Sequence, residues 1–222
     1  MKLIIFNGSP RKEKSSTKIL FDHFIKGLSS IDGNTFDYYY LRAVQDREDH
    51  IRALEGEDYI IIGFPLYTDS MPSFVKEFIE SLEVYRNKLN NLSIGYLVQS
   101  GFPEANHSRP VERYLKKLTS RLGSKYLGTI IKGNANRIDE QPGFFVKPLF
   151  KSLYSLGRSF GQTGTFDDKI LAKLATPEKL KGFQLILNRW ILKTRLATKN
   201  WDKQLKDNGV FENRFDAPFL KS

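Results

Sequence analysis

Residues 2–20, KLIIFNGSPRKEKSSTKIL, decide how the rest of the chain is read. The apolar run from Leu3 to Phe6 has the length and content of a strand buried on both faces. Beyond it, Leu20, Phe21, Phe24, Ile25 and Leu28 recur at spacings of three and four, the stripe of a helix from Ser16 to about Ser29. Between strand and helix stand Gly8, Pro10 and the hydroxyls of Ser9, Ser15, Ser16 and Thr17. A strand that passes through such a loop into a helix start converges hydroxyls and unpaired backbone N–H groups on one point, which makes an anion cradle. A capping serine explains one hydroxyl but not four. With Arg11 available for a charge-assisted hydrogen bond, a phosphate is the expected guest. Neither G-x-x-x-x-G-K-[ST] nor G-x-G-x-x-G is present, so a mononucleotide suits the loop better than a nucleoside triphosphate or a dinucleotide.

The pattern then repeats along the first 132 residues. Thr35 to Leu41 (TFDYYYL) is aromatic and strand-like, and DYIIIGFP (58–65) is a continuous apolar run. SMPSFVKEFIESLE (70–83) reads as a helix with Ser70 as N-cap and Pro72 near its first turn. LSIGYLVQSG (92–101) is a strand, RPVERYLKKLTSRLG (109–123) a helix stopped at Gly123, and KYLGTIIKG (125–133) a fifth strand. A further helix is expected within 144–156. Strands alternating with helices predict an α/β fold: a three-layer, doubly wound, parallel five-stranded sheet in the order 2-1-3-4-5, with a helical carboxyl-terminal extension. The division is expected at residue 160, with 1–160 as the ligand-binding domain and 161–222 as a basic extension. In such sheets ligands bind outside the carboxyl ends of the strands near the switch point, which puts the loops after residues 6, 63 and 99 on one rim.

Two of those loops carry flat or polarisable groups. In GFPLYTDSMPSF (63–74), Pro65 stops the strand, Tyr67 and Met71 offer a surface for a ring, and the backbone N–H groups of Leu66 to Asp69 are placed to meet ring heteroatoms. In QSGFPEANHS (99–108), Ser100 and Gly101 allow close backbone approach and Phe102 can wall a planar ligand. Each has an ordinary explanation alone, a core aromatic or a glycine turn; their shared rim favours a ligand. His107 reads as a surface histidine rather than a proton donor.

Together NGSPR with SST, PLYTDSMPSFVKEFIE and SGFPE resemble the NAD(P)H-dependent FMN reductase-like family of the flavodoxin-like fold, over about residues 1–133. The resemblance implies that Ser9, Arg11, Ser15, Ser16 and Thr17 bind the FMN phosphate, and that Pro65, Leu66, Tyr67, Met71, Ser100, Gly101 and Phe102 flank the isoalloxazine ring. It implies an oxidoreductase that takes hydride from NADH or NADPH onto FMN and passes it to a quinone-like or other small acceptor, commonly as a homodimer. No protein acid–base residue is required for that chemistry. A flavodoxin-type electron carrier and a non-catalytic flavin-binding regulatory protein are the alternatives, the former disfavoured because such carriers are typically acidic.

Composition bounds the remainder. The chain has 222 residues and no cysteine, which excludes disulfides and thiolate-held metal centres, and its short amino-terminal apolar run is not that of an export signal, so a cytoplasmic protein is expected. The first 120 residues hold 16 basic and 16 acidic residues, while 121–222 hold 19 basic and 9 acidic, so the entire net charge of +10 lies in the second part. There, residues 177–205 read as one long basic helix with an apolar stripe of Phe183, Ile186, Leu187, Trp190 and Ile191 beside Arg189, Lys193, Lys199 and Lys203. Packing on its own domain or on a dimer mate is expected ahead of peripheral contact with an anionic membrane, and nucleic acid is not an expected partner.

Overall fold

A computed structural model describes residues 1–41, 47–54, 57–86 and 92–217 of the chain. Five parallel strands form one sheet: β1 (Lys2–Asn7), β2 (Thr35–Tyr40), β3 (Tyr59–Pro65), β4 (Ser93–Gln99) and β5 (Lys125–Lys132). Their order is β2-β1-β3-β4-β5, the one expected from the sequence. Ile5 lies beside Ile61 and Ile61 beside Gly95, so the three central strands run level and end together on one rim.

The continuous apolar character of those strands follows from burial on both faces. Ile4, Phe6, Ile60, Ile62, Phe64, Ile94, Tyr96 and Val98 pack with residues of α2 (Arg47–Arg52), α3 (Ser73–Ser81) and α4 (Arg109–Arg121). Leu3, Ile5, Ile61, Leu97 and Ile130 pack with α1 (Ser16–Leu28), α5 (Gly143–Thr163) and α6 (Asp168–Leu174). Alternation along each strand therefore sorts side chains between two cores, and a polar residue could be admitted to neither without a partner.

Backbone contact sets the distance between α1 and α5. A Cβ on Gly27 would lie 2.0 Å from the Tyr154 carbonyl oxygen, and one on Gly157 would lie 1.9 Å from that of Phe24. The helices meet where neither has a side chain, as close-packed elements must. At the other end of the sheet, β5 bulges opposite Ile94 and Gly95, with Gly128 at φ 122°, and the Phe166 ring fills the space over Gly95.

Several sequence expectations change at element ends. Ser70 does not cap α3: the residue before the helix is Pro72, with no side-chain cap, because Ser70 is held in a turn with Tyr67. The helix expected within 144–156 extends to Thr163 and stops at Gly164 in the left-handed conformation, so a boundary at 160 falls inside α5. α6 follows, capped by Asp167, whose carboxylate accepts from the Lys169 and Ile170 N–H groups, and it packs on β5 and α5. The first compact unit accordingly runs to Lys179, and residues 180–222 form a second. The single long helix read over 177–205 is two: α7 (Phe183–Leu192) and α8 (Arg195–Asp207), with Thr194, a favoured N-cap type, immediately before α8. α2 carried no signal that was read from the sequence.

Candidate functional site

At the carboxyl ends of β1, β3 and β4 lies a cavity of about 320 Å³ lined by Ser9, Arg11, Ser16, Pro65, Leu66, Tyr67, Gln99, Ser100, Gly101 and Asn136. That size falls at the lower end of small-molecule sites. All three loops singled out in the sequence meet here.

The first loop is held by Asn7, the last residue of β1. Its amide donates to the Tyr38 hydroxyl at 2.9 Å and to Ser15 Oγ at 3.3 Å, and its carbonyl oxygen accepts the Ser9 N–H at 2.8 Å. One nearly fully buried amide thus ties β2, the loop and the start of α1 together. Burial holds the Tyr38 hydroxyl protonated well above the usual phenol range, outweighing the opposing pull of the hydrogen bond it accepts from Asn7. Gly8 is required by crowding: a Cβ there would lie 2.2 Å from Val75 Cγ2 of α3.

The hydroxyls divide between structure and cavity. Ser15 is the N-cap of α1, accepting from the Lys18 N–H at 3.1 Å and donating to the Lys12 carbonyl at 2.5 Å, so its side chain is committed to the chain itself. Ser16 and Ser9 face the cavity. Thr17 is fully buried and does not line it, yet its Oγ1 has no hydrogen-bond partner among the described residues, directly behind the helix start. The Ser16 and Thr17 N–H groups belong to the first turn, where a helix has no internal acceptor to offer. Arg11 is the sole charged residue in the lining among the described residues. At this end the cavity therefore carries one cation, the hydroxyls of Ser9 and Ser16 and a positive helix end, with no carboxylate among the described lining residues to oppose an anion.

The second loop is built differently. The Tyr67 N–H donates to the Ser70 carbonyl at 2.8 Å and the Ser70 N–H returns the bond at 3.0 Å, closing a tight turn with Thr68 at φ 49° and Asp69 at φ 62°. Two consecutive left-handed residues, one of them β-branched, are a strained solution where Asn-Gly would be the ordinary one. The turn consumes donors: the Leu66 N–H is bound to the Gln99 carbonyl at 2.8 Å, so neither Leu66 nor Tyr67 offers its N–H to a ligand, contrary to the sequence expectation. Pro65, Leu66 and Tyr67 contribute surface instead, and Tyr67 lines the cavity while 47% exposed. Met71 lies outside, against a separate groove with Tyr114 and Val111, because the turn reverses the chain before reaching it.

In the third loop the Ser100 carbonyl accepts the Ala135 N–H at 2.8 Å and the Phe102 carbonyl accepts the Asn134 N–H at 2.7 Å. This strap draws the segment after β5 across the rim and brings Asn136 into the lining beside Gly101. Phe102 turns away: it is 51% exposed and stacks on His107 at 4.4 Å between ring centroids. His107 also sits 3.5 Å from Glu104 and does not line the cavity. Of the twelve residues expected at a site, eight meet in the cavity and Ser15, Thr17, Met71 and Phe102 do not. Asn7, Gln99 and Asn136 were missed; Asn7 and Gln99 each end a buried strand on the rim with a polar side chain, a signal that was available, whereas Asn136 is placed by tertiary contacts alone.

The family model of the flavodoxin-like fold matches residues 1–144, and the chain belongs to that family. No curated protein matches the sequence. Among solved structures, it is similar to an FMN-dependent NADH-azoreductase from Bacillus anthracis in complex with FMN (15% identity, TM-score 0.58, 72% of this chain and 99% of that one). It is also similar to an NADPH-quinone reductase from P. pentosaceus (18%, 0.54, 73% and 99%). A third is the NAD(P)H:quinone oxidoreductase from Methanothermobacter marburgensis (14%, 0.56, 72% and 96%). At these identities the likeness is one of fold.

Proposed function

We propose that this protein is an FMN-dependent NAD(P)H oxidoreductase acting on a quinone-like or other small acceptor. The observation that carries the reading is the cavity at the switch point of the sheet, which brings together Arg11, the one charge among its described lining residues, the Ser9 and Ser16 hydroxyls, and the apolar and amide side chains of Pro65, Leu66, Gln99 and Asn136. The first-turn N–H groups of Ser16 and Thr17, which a helix leaves without an internal acceptor, add to the anion character of that end of the cavity. The structures of similar fold are named as FMN-dependent or NAD(P)H-dependent reductases, which supports the same assignment.

In this reading Ser9, Arg11 and Ser16, with the N–H groups that open α1, hold the phosphate. Pro65, Leu66 and Tyr67 on one side and Gln99, Ser100, Gly101 and Asn136 on the other hold the planar ring, the two amide side chains being able to donate or accept at its heteroatoms. FMN bound by these residues would supply the hydride-transfer chemistry between a nicotinamide and a small acceptor. The protein's part is to orient and to leave one face accessible, and no titrating side chain in the lining is needed for it. Because donor and acceptor would use the same face in turn, initial-rate plots at varied nicotinamide and quinone are expected to be parallel.

The test is to reconstitute the full chain with FMN, remove the excess and add NADH or NADPH anaerobically. Loss of flavin absorbance at a stoichiometric ratio, followed by its return on adding a small quinone, is the expected result. Retention of FMN with no response to either nicotinamide would replace this reading with an electron carrier or a regulatory flavin-binding protein.

A further inference from the structure

The second unit, residues 180–222, carries a feature that the flavin site does not use. α7 has the sequence FQLILNRWIL, with one charge in ten residues, and it is apolar around most of its circumference. Such a helix is normally found inside a core or in lipid. Here Phe183 is 75% exposed, Ile186 66%, Trp190 62% and Leu187 42%, while the Ile191 side chain lies outside the described residues. On α8, Trp201 is 64% exposed. A run of large apolar groups of this kind on one short segment marks a surface that is covered in use.

Charge decides what covers it. Residues 180–222 hold nine lysines and arginines against four acidic residues. Lys181, Arg189, Lys193, Lys199, Lys203 and Lys206 are exposed around the apolar groups. A second copy of the same segment would bring two like-charged surfaces together, which opposes pairing. An anionic bilayer offers both an apolar layer for Phe183, Ile186 and Trp190 and a negative surface for the cations. Ten helical residues span roughly 15 Å, about half the hydrocarbon thickness, so α7 can lie in the interface but not cross. In agreement, no helix among the described residues is long and apolar enough to cross a membrane. Both tryptophans of the chain, Trp190 and Trp201, belong to this unit, and tryptophan favours the headgroup boundary. We propose that residues 180–222 dock the protein on the surface of an anionic membrane, with α7 lying in the interface and its flanking lysines and arginines among the headgroups.

Because no tryptophan lies elsewhere in the chain, intrinsic emission reads this contact directly. Full-length protein is mixed with phosphatidylcholine vesicles, with or without phosphatidylglycerol, sedimented, and its emission recorded. Sedimentation with the anionic vesicles only, a blue shift of emission, and release at about 1 M salt, where the screening length falls to ~3 Å, are expected. Trp190→Asp is expected to weaken partitioning roughly tenfold or more through lost apolar burial. Lys193→Glu with Lys199→Glu should weaken it by about thirtyfold or more through lost attraction and the reversed sign. Both changes are on exposed positions, and retention of bound FMN or of the circular dichroism spectrum verifies folding. Failure of anionic vesicles to sediment the protein at low salt would overturn the proposal. So would a dimer that Trp190→Asp converts to monomer without any vesicle binding, since the apolar face would then be a subunit contact.

Discussion

The first and second loops of the candidate site stand side by side on one rim, and each closes a turn of its own, yet the first is tied to neighbouring elements by a buried amide side chain as well. The loop from Gly8 to Thr17 is braced from outside by the Asn7 amide, which reaches β2, the loop backbone and the cap of α1. The loop from Pro65 to Pro72 is closed on itself by the reciprocal Tyr67 and Ser70 bonds and pays for its tightness with left-handed Thr68 and Asp69. The difference fits the kind of surface each provides. The first loop also bonds within itself, Lys12, Lys14 and Ser15 donating to the Ser9, Arg11 and Lys12 carbonyls, but it turns the Ser9 and Ser16 hydroxyls and Arg11 to the cavity, whereas the second turns Pro65, Leu66 and Tyr67 to it. The two surfaces meet in one cavity because the sheet places both loops on the same rim.

Gly8→Ala tests whether the loops are mechanically one unit, because the added Cβ would meet Val75 of α3, the helix that follows the second loop. Overpacking of this kind costs about 1–3 kcal/mol, and a fall of that size in urea-unfolding free energy, accompanied by loss of flavin retention, is expected. A neutral result would separate the loops.

Asn7→Ala removes the external brace alone. Leaving the Ser9 N–H and the Tyr38 hydroxyl without their partner is expected to cost about 1–3 kcal/mol by the same measurement, with FMN affinity falling as the first loop loosens. Arg11→Ala should leave unfolding unchanged, since its guanidinium has no hydrogen bond or ion pair with the described residues, and lower FMN affinity by about tenfold while riboflavin affinity stays as it was. Parallel losses for both ligands would mean that Arg11 meets the ring rather than the phosphate.

Thr68→Gly probes the self-closed turn and carries the smallest effect, in the stabilising direction. Relief of a β-branched residue at φ 49° is offset by the greater freedom of glycine in the unfolded chain, leaving a gain of up to about 1 kcal/mol. Destabilisation on this change would mean that the Thr68 side chain makes contacts that outweigh its backbone strain.

Much of this arrangement could be read before any coordinates. The strands announce themselves through runs such as Ile60 to Ile62, where burial on two faces forbids polar alternation, and α1 and α4 through their apolar spacing. The switch-point rim and the anion character of the first loop follow from those elements and from the hydroxyl cluster. What stayed hidden depends on contacts that close over long sequence distances. Asn136 enters the cavity only because the Ser100 and Phe102 carbonyls strap the segment after β5, and Phe102 leaves it because His107 offers its ring a face. Ser70 looked like a helix cap because Ser before Met-Pro is a common start; the competing turn with Tyr67 won. The stop at Gly164 was visible and would have kept α5 whole, whereas the break between α7 and α8 has no glycine or proline to mark it.

The central claim is that the cavity at the carboxyl ends of β1, β3 and β4 binds FMN through its phosphate. Titration of the flavin-free protein with FMN and, separately, with riboflavin tests it most directly, following flavin fluorescence. Saturation at one FMN per chain, with riboflavin bound at least ~100-fold more weakly, is predicted, since several charge-assisted hydrogen bonds at 1.5–3 kcal/mol each are lost with the phosphate. Equal affinity for the two flavins, or no binding of either, would contradict it.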